Sequence, residues 1–152
     1  GHADAGSTLT RKTALELTHP ILSSLIIVEG KSDAHPIDSI RCGIGALPTH
    51  NRLLLWPVDM VFGSIELVGK LSTSFQENDD KIARPIFNGQ HGHPVLFGRE
   101  ARQELTTAMA DEGAHRIVHH NPGRLIDIPC NDERITQAMN TPQEARLRGL
   151  SL

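Results

Sequence analysis

Short apolar runs along the chain predict the strands of a sheet. Residues 25–28 (LIIV) and 52–56 (RLLLW) are continuous apolar runs, which are typical of strands buried on both faces. Residues 82–87 and 94–97 flank the sequence NGQHG, whose two glycines indicate a hairpin. Residues 124–128 predict one further strand.

Stretches with apolar residues at helical spacing lie between these runs. Residues 36–47 place four aliphatic side chains on one face and are followed by a proline. Ser64 is a suitable N-cap for a helix that runs to Phe75, although Gly69 interrupts the pattern. A capping box at Thr141 to Glu144 opens the last helix. The other predicted helices are a segment entered at Pro20, residues 100–109 and residues 114–120.

Strands that alternate with helices predict an α/β fold with a mostly parallel sheet. We expect one domain over residues 1–152, with Gly1 and His2 as the remnant of a purification tag.

Composition and charge argue against nucleic acid and membrane as binding partners. The net charge of −3, without a Lys/Arg-rich run, argues against nucleic-acid binding. No apolar stretch approaches membrane-spanning length and no signal peptide is recognised, so we expect a cytoplasmic protein without a membrane partner. Cys42 and Cys130 are far apart in sequence and are expected to be reduced and buried.

Asp59 is the candidate site residue that position alone indicates. It follows the most apolar strand by three residues, and ligands of open α/β sheets bind beyond the carboxyl ends of strands. One carboxylate there, together with substrate phosphates, suffices for Mg²⁺. The alternative is a turn residue, or a cap for the helix that begins near Ser64.

Several stretches in order along the chain resemble the MobA-like nucleotidyltransferases, which include the cytidylyltransferases and guanylyltransferases of molybdenum-cofactor maturation. Residues 92–97 (GHPVLF) match a family signature closely, and residues 53–59 (LLLWPVD) resemble the strand that ends in the family's metal-binding Asp. Weaker matches are residues 38–44 (DSIRCGI), residues 111–116 (DEGAHR) and residues 140–144 (NTPQE).

The resemblance implies a three-layer αβα, Rossmann-like fold of the nucleotide-diphospho-sugar transferase type. It also implies an Mg²⁺-dependent transferase that couples CTP or GTP to a phosphorylated acceptor, most simply molybdopterin, and releases pyrophosphate. A molybdoenzyme is the partner that such a product implies. Catalysis would rest on positioning and charge neutralisation.

The matched motifs assign residues to this scheme. By resemblance, Asp59 and Asn140 hold the metal, with Asp59 catalytic, while Ser39 and Gly43 lie beside the nucleotide. The loop Gly92-His93-Pro94 would face the acceptor.

The amino-terminal region departs from the family, which begins with a strand and a glycine-rich loop that cradles the triphosphate. Residues 5–12 (AGSTLTRK) keep only the ends of that loop, so Gly6 and Ser7 match nucleotide-binding positions and Lys12 a catalytic one. Val61 stands where the family has Pro, two residues after its metal-binding Asp.

Two interpretations of the shortened loop stay open. The sequence in hand omits residues of a phosphate loop that is disordered without ligand, which we favour because such loops are commonly mobile. The alternative is a degenerate, non-catalytic relative that binds a nucleotide or a pterin cofactor.

Several histidines and one arginine suggest alternative roles, either in another kind of site or in the structure. His91 and His93 share a strand face and, with His119 and His120, suggest a zinc hydrolase, but no carboxylate or Cys lies at a usual ligand spacing. In a second structural interpretation, the ring of His93 fixes its own turn through a backbone hydrogen bond. Arg41 either pairs with phosphate or is solvated.

Overall fold

A computed structural model of the chain describes residues 36–49, 51–57, 59–60, 64–107, 113–138 and 141–147. The helices within these ranges are α1 (Pro36–Gly45), α2 (Ile65–Ser74), α3 (Arg99–Thr107), α4 (Gly113–His120) and α5 (Pro142–Leu147). The strands are β1 (Leu53–Leu55), β2 (Ile82–Phe87), β3 (Gln90–His91), β4 (Val95–Phe97) and β5 (Leu125–Pro129). Two 3-10 turns span Pro122–Arg124 and Glu133–Thr136.

Local capping fixes the helix starts where the sequence predicts them. The hydroxyl of Ser64 accepts a hydrogen bond from the backbone N–H of Leu67 at 3.1 Å. Thr141 and Glu144 form the reciprocal bonds of a capping box, each 3.2 Å long. No helix in the described ranges is long and apolar enough to cross a membrane. The predicted strand at 25–28 and the helix entered at Pro20 lie outside the described residues.

The strands form one sheet in the order β1-β4-β2-β3, with β5 paired to β2. β4 runs antiparallel to both β1 and β2, so β1 and β2 point in the same direction, and β5 is parallel to β2. The predicted α/β class is confirmed. The predicted mostly parallel sheet does not fit the described pairings, because the hairpin after β2 inserts β4 in the opposite direction between β1 and β2.

Helices cover both faces of this sheet. We call face A the side that carries Leu53, Ile82, Val95 and Phe97, against which α1, α3 and α4 pack through Ile37, Ile44, Ala101, Leu105 and Ile117. Face B carries Ala83 and Leu96, against which α2 packs through Leu67, Leu71 and Phe75, together with Ile135. The alternation along each strand follows from the two-residue period of β-structure.

The hairpin after β2 is closed by Asn88 and Gly89, which both adopt positive φ, as a type I′ turn requires. Ala83 and Ile86 are three residues apart on β2. Their register partners, Leu96 and His91, are five residues apart on the partner strand. Two extra residues therefore interrupt the partner strand between β3 and β4. The interruption contains the predicted loop Gly92-His93-Pro94.

Both cysteines are free thiols, and they differ in burial. Cys130 is partly buried, and burial raises the pKa of its thiol. Cys42 is exposed on α1, so the expectation that it is buried is wrong. It lies on the side of the helix that faces away from the residues packed on face A.

Candidate functional site

The carboxyl ends of three strands lie at one edge of the sheet. β1, β2 and β5 run in the same direction, while β4 enters between β1 and β2 from that same edge. Open α/β sheets bind ligands at such an edge. The residues gathered there follow β1, precede β4 and lie on the last half of β2 and β5.

Asp59 lies in a tight turn directly after β1. The backbone N–H of Met60 donates to the carbonyl of Pro57 at 3.1 Å, and the indole N–H of Trp56 donates to the carbonyl of Met60 at 2.5 Å. The side chain of Asp59 is partly exposed. Since Ser64 itself caps α2, Asp59 is not needed as the cap of that helix.

The loop Gly92-His93-Pro94 is held by its backbone. Gly92 donates its N–H to the carbonyl of Pro85 at 2.9 Å, and His93 donates its N–H to the carbonyl of Ile135 at 3.1 Å. The His93–Pro94 peptide bond is cis. The Nδ1 atom of His93 is buried and has no hydrogen-bond partner among the residues that the structure describes. Fixation of the turn through this ring atom is therefore wrong.

Gly92 allows the close approach between this loop and the 3-10 turn at Glu133–Thr136. A Cβ atom at position 92 would lie 2.4 Å from the carbonyl oxygen of Ile135 and 2.5 Å from its Cδ1. No side chain fits at that distance, so the glycine of the signature is a packing requirement. The turn supports the loop from face B, where Ile135 joins the core.

The charge of Asp59 acts on the imidazole of His93. Burial lowers the pKa of the His93 imidazole below its ordinary value, and the negative charge of Asp59 acts in the opposite direction. The strands bring the two together, because Leu55 and Val95 are register partners. Asp59 follows the first of these residues and His93 precedes the second. The lowered pKa leaves His93 neutral near pH 7.

A charged cluster on face A lies opposite the interrupted strand. The Nε atom of Arg84 donates to Asp127 Oδ1 at 2.7 Å, across the parallel pair β2 and β5. His91 Nε2 lies 3.7 Å from Asp127 Oδ2. We name these three residues the Arg84 cluster. The sequence reasoning missed it, although an arginine inside the apolar strand IARPIF is an available signal.

The structure describes some of the other predicted site residues. Ser39 and Gly43 lie one turn apart on α1 and are partly buried. Arg41 Nε donates to the carbonyl of Leu105 at 3.3 Å, so Arg41 joins α1 to α3 and is not simply solvated. The positions of four predicted residues lie outside the described ranges: Gly6, Ser7, Lys12 and Asn140.

The histidines do not gather into the imagined zinc centre. His119 and His120 are exposed at the end of α4, while His91 and His93 belong to the edge described above. Within the described ranges, no three His, Cys, Asp or Glu side chains are grouped so as to hold a metal ion.

A cavity of about 690 Å³ lies elsewhere, near the amino end of β2. Phe75, Lys81 and Ile126 contribute to its lining, and none of the predicted site residues does. We therefore do not assign the predicted chemistry to it.

Comparisons with known proteins concern the family and the fold of this chain. The family model described as "MobA-like NTP transferase domain" matches residues 12–125, about three quarters of the chain. The crystal structure of Rv0371c from Mycobacterium tuberculosis H37Rv is similar, with a TM-score of 0.69 and 13% sequence identity. The similarity covers 97% of this chain and 85% of that one, and at this identity it concerns the fold. A search of curated proteins found no match.

Proposed function

This chain belongs to the family of MobA-like NTP transferase domains, and from that premise we propose that it transfers a nucleoside monophosphate from CTP or GTP to a phosphorylated acceptor of the molybdopterin type. An oxygen of the acceptor phosphate attacks the α-phosphorus of the nucleotide. The bond between the α-phosphorus and its bridging oxygen breaks, and pyrophosphate leaves.

One observation supports the proposal beyond the family match. The strand order brings the turn of Asp59 and the loop of His93 to one edge of the sheet, close enough for the charge of Asp59 to affect the pKa of His93. In the proposed reaction, the nucleotide phosphates meet the acceptor between these two elements. Transfer by positioning needs that proximity.

The donor set at Asp59 fits a magnesium ion. Asp59 presents carboxylate oxygens from a partly exposed turn, and its neighbour His93 is neutral and so does not compete with a metal ion for the carboxylate. Bound Mg²⁺ would supply neutralisation of phosphate charge and orientation of the triphosphate. Asn140 remains the proposed second ligand on the strength of the family motif.

His93 suits the acceptor side of the site. Because burial keeps its imidazole neutral and Nδ1 is itself buried, Nε2 is the ring nitrogen left for a ligand, and it carries no positive charge. An uncharged donor or acceptor of this kind matches the polar edge of a heterocycle better than it matches a phosphate. Backbone hydrogen bonds from Gly92 to Pro85 and from His93 to Ile135 hold the loop that carries the ring.

Finer parts of the proposal rest on the family alone. They are the three-layer Rossmann-like arrangement, the roles of Gly6, Ser7 and Lys12 at the triphosphate, the roles of Ser39 and Gly43 at the nucleoside, a molybdoenzyme as recipient of the product, and a cytoplasmic location. The described sheet, covered by helices on both faces, is compatible with the first of these.

The test is an assay of pyrophosphate release. Purified protein is incubated with Mg²⁺, each of CTP, GTP and ATP, and molybdopterin, while a thermal-shift titration reports nucleotide binding by mass action. We expect one nucleotide to support release. Asp59→Asn should lower turnover by about a hundredfold or more, by loss of a charge-stabilising group.

Glu77→Gln is the matched control, because Glu77 is an exposed carboxylate in the loop before β2, away from the edge. Turnover in Asp59→Asn equal to that in Glu77→Gln would contradict the proposal. Nucleotide binding without pyrophosphate release in the wild type would instead favour the degenerate binding protein.

A further inference from the structure

The Arg84 cluster carries chemistry that the proposed transfer has not used. Arg84 is 7% exposed and points to face A from the middle of β2. Its direct register partner on β5 is Asp127, and the two side chains meet through a single 2.7 Å bond from Nε. A guanidinium carries five N–H donors, so this bond uses one of them.

The terminal nitrogens of Arg84 remain available. Among the residues that the structure describes, neither Nη atom has a hydrogen-bond partner. Neither is among the fully buried atoms that lack a partner, so both reach accessible space. The burial is also asymmetric, since the side chain of Arg84 is 8% exposed and that of Asp127 is 40% exposed. The guanidinium is thus held through Nε as the more buried member of the pair, and the carboxylate of Asp127 is the more exposed one.

The position of Arg84 points to the acceptor. On β2, Arg84 and Pro85 stand opposite the interruption of the partner strand, between the pairs Ala83–Leu96 and Ile86–His91. Gly92 bonds to the carbonyl of Pro85, the residue next to Arg84. The backbone of Arg84 therefore adjoins the loop that the proposed function gives to the acceptor, and its side chain projects to face A at the same level of the sheet.

We propose that Arg84 binds the phosphate of the acceptor through its terminal NH₂ groups, with Asp127 holding the guanidinium in place through Nε. This inference rests on the proposed function for the identity of the ligand. Arginine presents paired N–H donors that match phosphate oxygens, whereas lysine presents a point charge. Asp127 orients the cation and, being an anion, also competes for its charge.

The first experiment uses the full chain without nucleotide and titrates inorganic phosphate and phenyl phosphate, with chloride as the ionic-strength control. NMR follows the backbone amide resonances of Ile86 and Gly92, which every variant keeps, and the Nε–Hε resonance of Arg84 wherever the arginine is present. Arg84→Met should weaken phosphate binding by about ten- to a hundredfold, the range expected for a hydrogen bond to a charged group. Asp127→Asn should strengthen it, because the amide still accepts the Nε bond but no longer competes for the charge.

Arg52→Met is the matched control. Arg52 makes the same kind of bond, from Nε to Asp79 Oδ1 at 2.8 Å, but it precedes β1 at the opposite edge of the sheet. We expect its phosphate affinity to equal that of the wild type. Equal affinity in Arg84→Met, or weaker binding in Asp127→Asn, would overturn the assignment and leave a purely structural ion pair. Asp127→Asn keeps the arginine in place. The direction in which its phosphate affinity changes therefore tests the proposal even where Arg84→Met fails to fold.

The second experiment separates the acceptor phosphate from the phosphates of the nucleotide. In the pyrophosphate-release assay, Arg84→Lys should raise the KM for the acceptor and leave the KM for the nucleotide unchanged. A rise confined to the nucleotide would overturn the proposal. Absence of turnover in the wild type would reject the proposed function, while the phosphate titration would still decide the role of Arg84.

Discussion

The carboxylate of Asp59 acts on the imidazole of His93, although one belongs to the turn that leaves β1 and the other to the loop that enters β4. Burial dominates the pKa of His93 and lowers it, while Asp59 offsets part of that effect. The relationship depends on β4 lying beside β1. It joins two motifs that are separate in the sequence.

Asp59→Asn should therefore lower the pKa of His93 further, because the variant keeps burial and removes the opposing charge. An NMR titration of the His93 imidazole in the metal-free protein measures the change. Asp132→Asn is the control, since Asp132 lies in the loop before the 3-10 turn and is paired with Arg134. A rise of the His93 pKa in Asp59→Asn would contradict the assigned electrostatics.

His93 should also make folding stability depend on pH. Because its pKa is lowered in the folded state, the unfolded chain binds the proton first as the pH falls. Its contribution is complete above the unfolded value of about 6.5 and is lost progressively below it. Urea unfolding at pH 8, 7, 6 and 5 should show a smaller acid loss for His93→Gln than for the wild type.

The measurement at pH 8 is the control for that series. There His93 is neutral in the folded and in the unfolded chain, so the packing cost of His93→Gln appears without a protonation effect. Superimposable pH profiles for His93→Gln and the wild type would show that the burial of His93 does not affect stability in this range.

Local features of the fold are readable from the sequence because local interactions determine them. Ser64 and the Thr141–Glu144 box cap helices through side chains within the same turn, and the Asn88–Gly89 pair closes a hairpin through its own φ angles. Asp59 was predictable as a strand-end residue for the same reason. It follows an apolar run that ends in a turn.

Interactions between distant segments were not predictable. The insertion of β4 between β1 and β2 depends on how well these strands pair with one another. The spacing of apolar residues within one strand contains no information about that pairing. Arg84 is acceptable inside an apolar strand only because Asp127 of β5 stands in register with it. Arg41 likewise depends on a carbonyl of α3. The role of each of these two arginines can be assigned only once the structure shows which residue lies beside it.

Gly92→Ala should destabilise the protein and displace the loop Gly92-His93-Pro94. The new Cβ would meet the backbone oxygen of Ile135 at 2.4 Å, and overpacking of this kind costs about 1–3 kcal/mol. Urea unfolding measures the loss. Since the nearest atom belongs to the backbone, Ile135→Ala should not restore stability to Gly92→Ala. Full rescue by that second change would show that the side-chain contact alone forbids alanine.

Gly69→Ala should have the opposite effect. Gly69 lies inside α2, and a Cβ built there has nothing within 4 Å. Alanine favours the helix over glycine by about 0.5–1 kcal/mol, so thermal unfolding should move to higher temperature. Gly89→Ala is an informative contrast, because its surroundings are equally open but its φ is +80°. It should be destabilised, and stabilisation of both variants would contradict the described backbone of the hairpin.

Arg102→Leu tests what holds α1, the helix of Ser39 and Gly43, in place. Arg102 is 3% exposed on α3 and donates to the carbonyls of Asn51 at 2.8 Å and of Ile44 and Leu47 at 3.5 Å. The variant leaves the carbonyl of Asn51 without this donor, at a cost of about 1–3 kcal/mol.

Arg99→Leu is the matched control on the same helix, where the exposed side chain of Arg99 pairs with the partly buried Asp79, and we expect its loss to cost about 0–1 kcal/mol. Arg102→Lys should recover only part of the loss, because an ammonium cannot reach all three carbonyls as the planar guanidinium does. Equal stability of Arg102→Leu and Arg99→Leu in urea would mean that hydrophobic packing, rather than the arginine, joins α1 to α3. In that case the position of the proposed nucleoside-binding helix would depend on the packing of Ile37 and Ile44 and on the bond from Arg41 to Leu105.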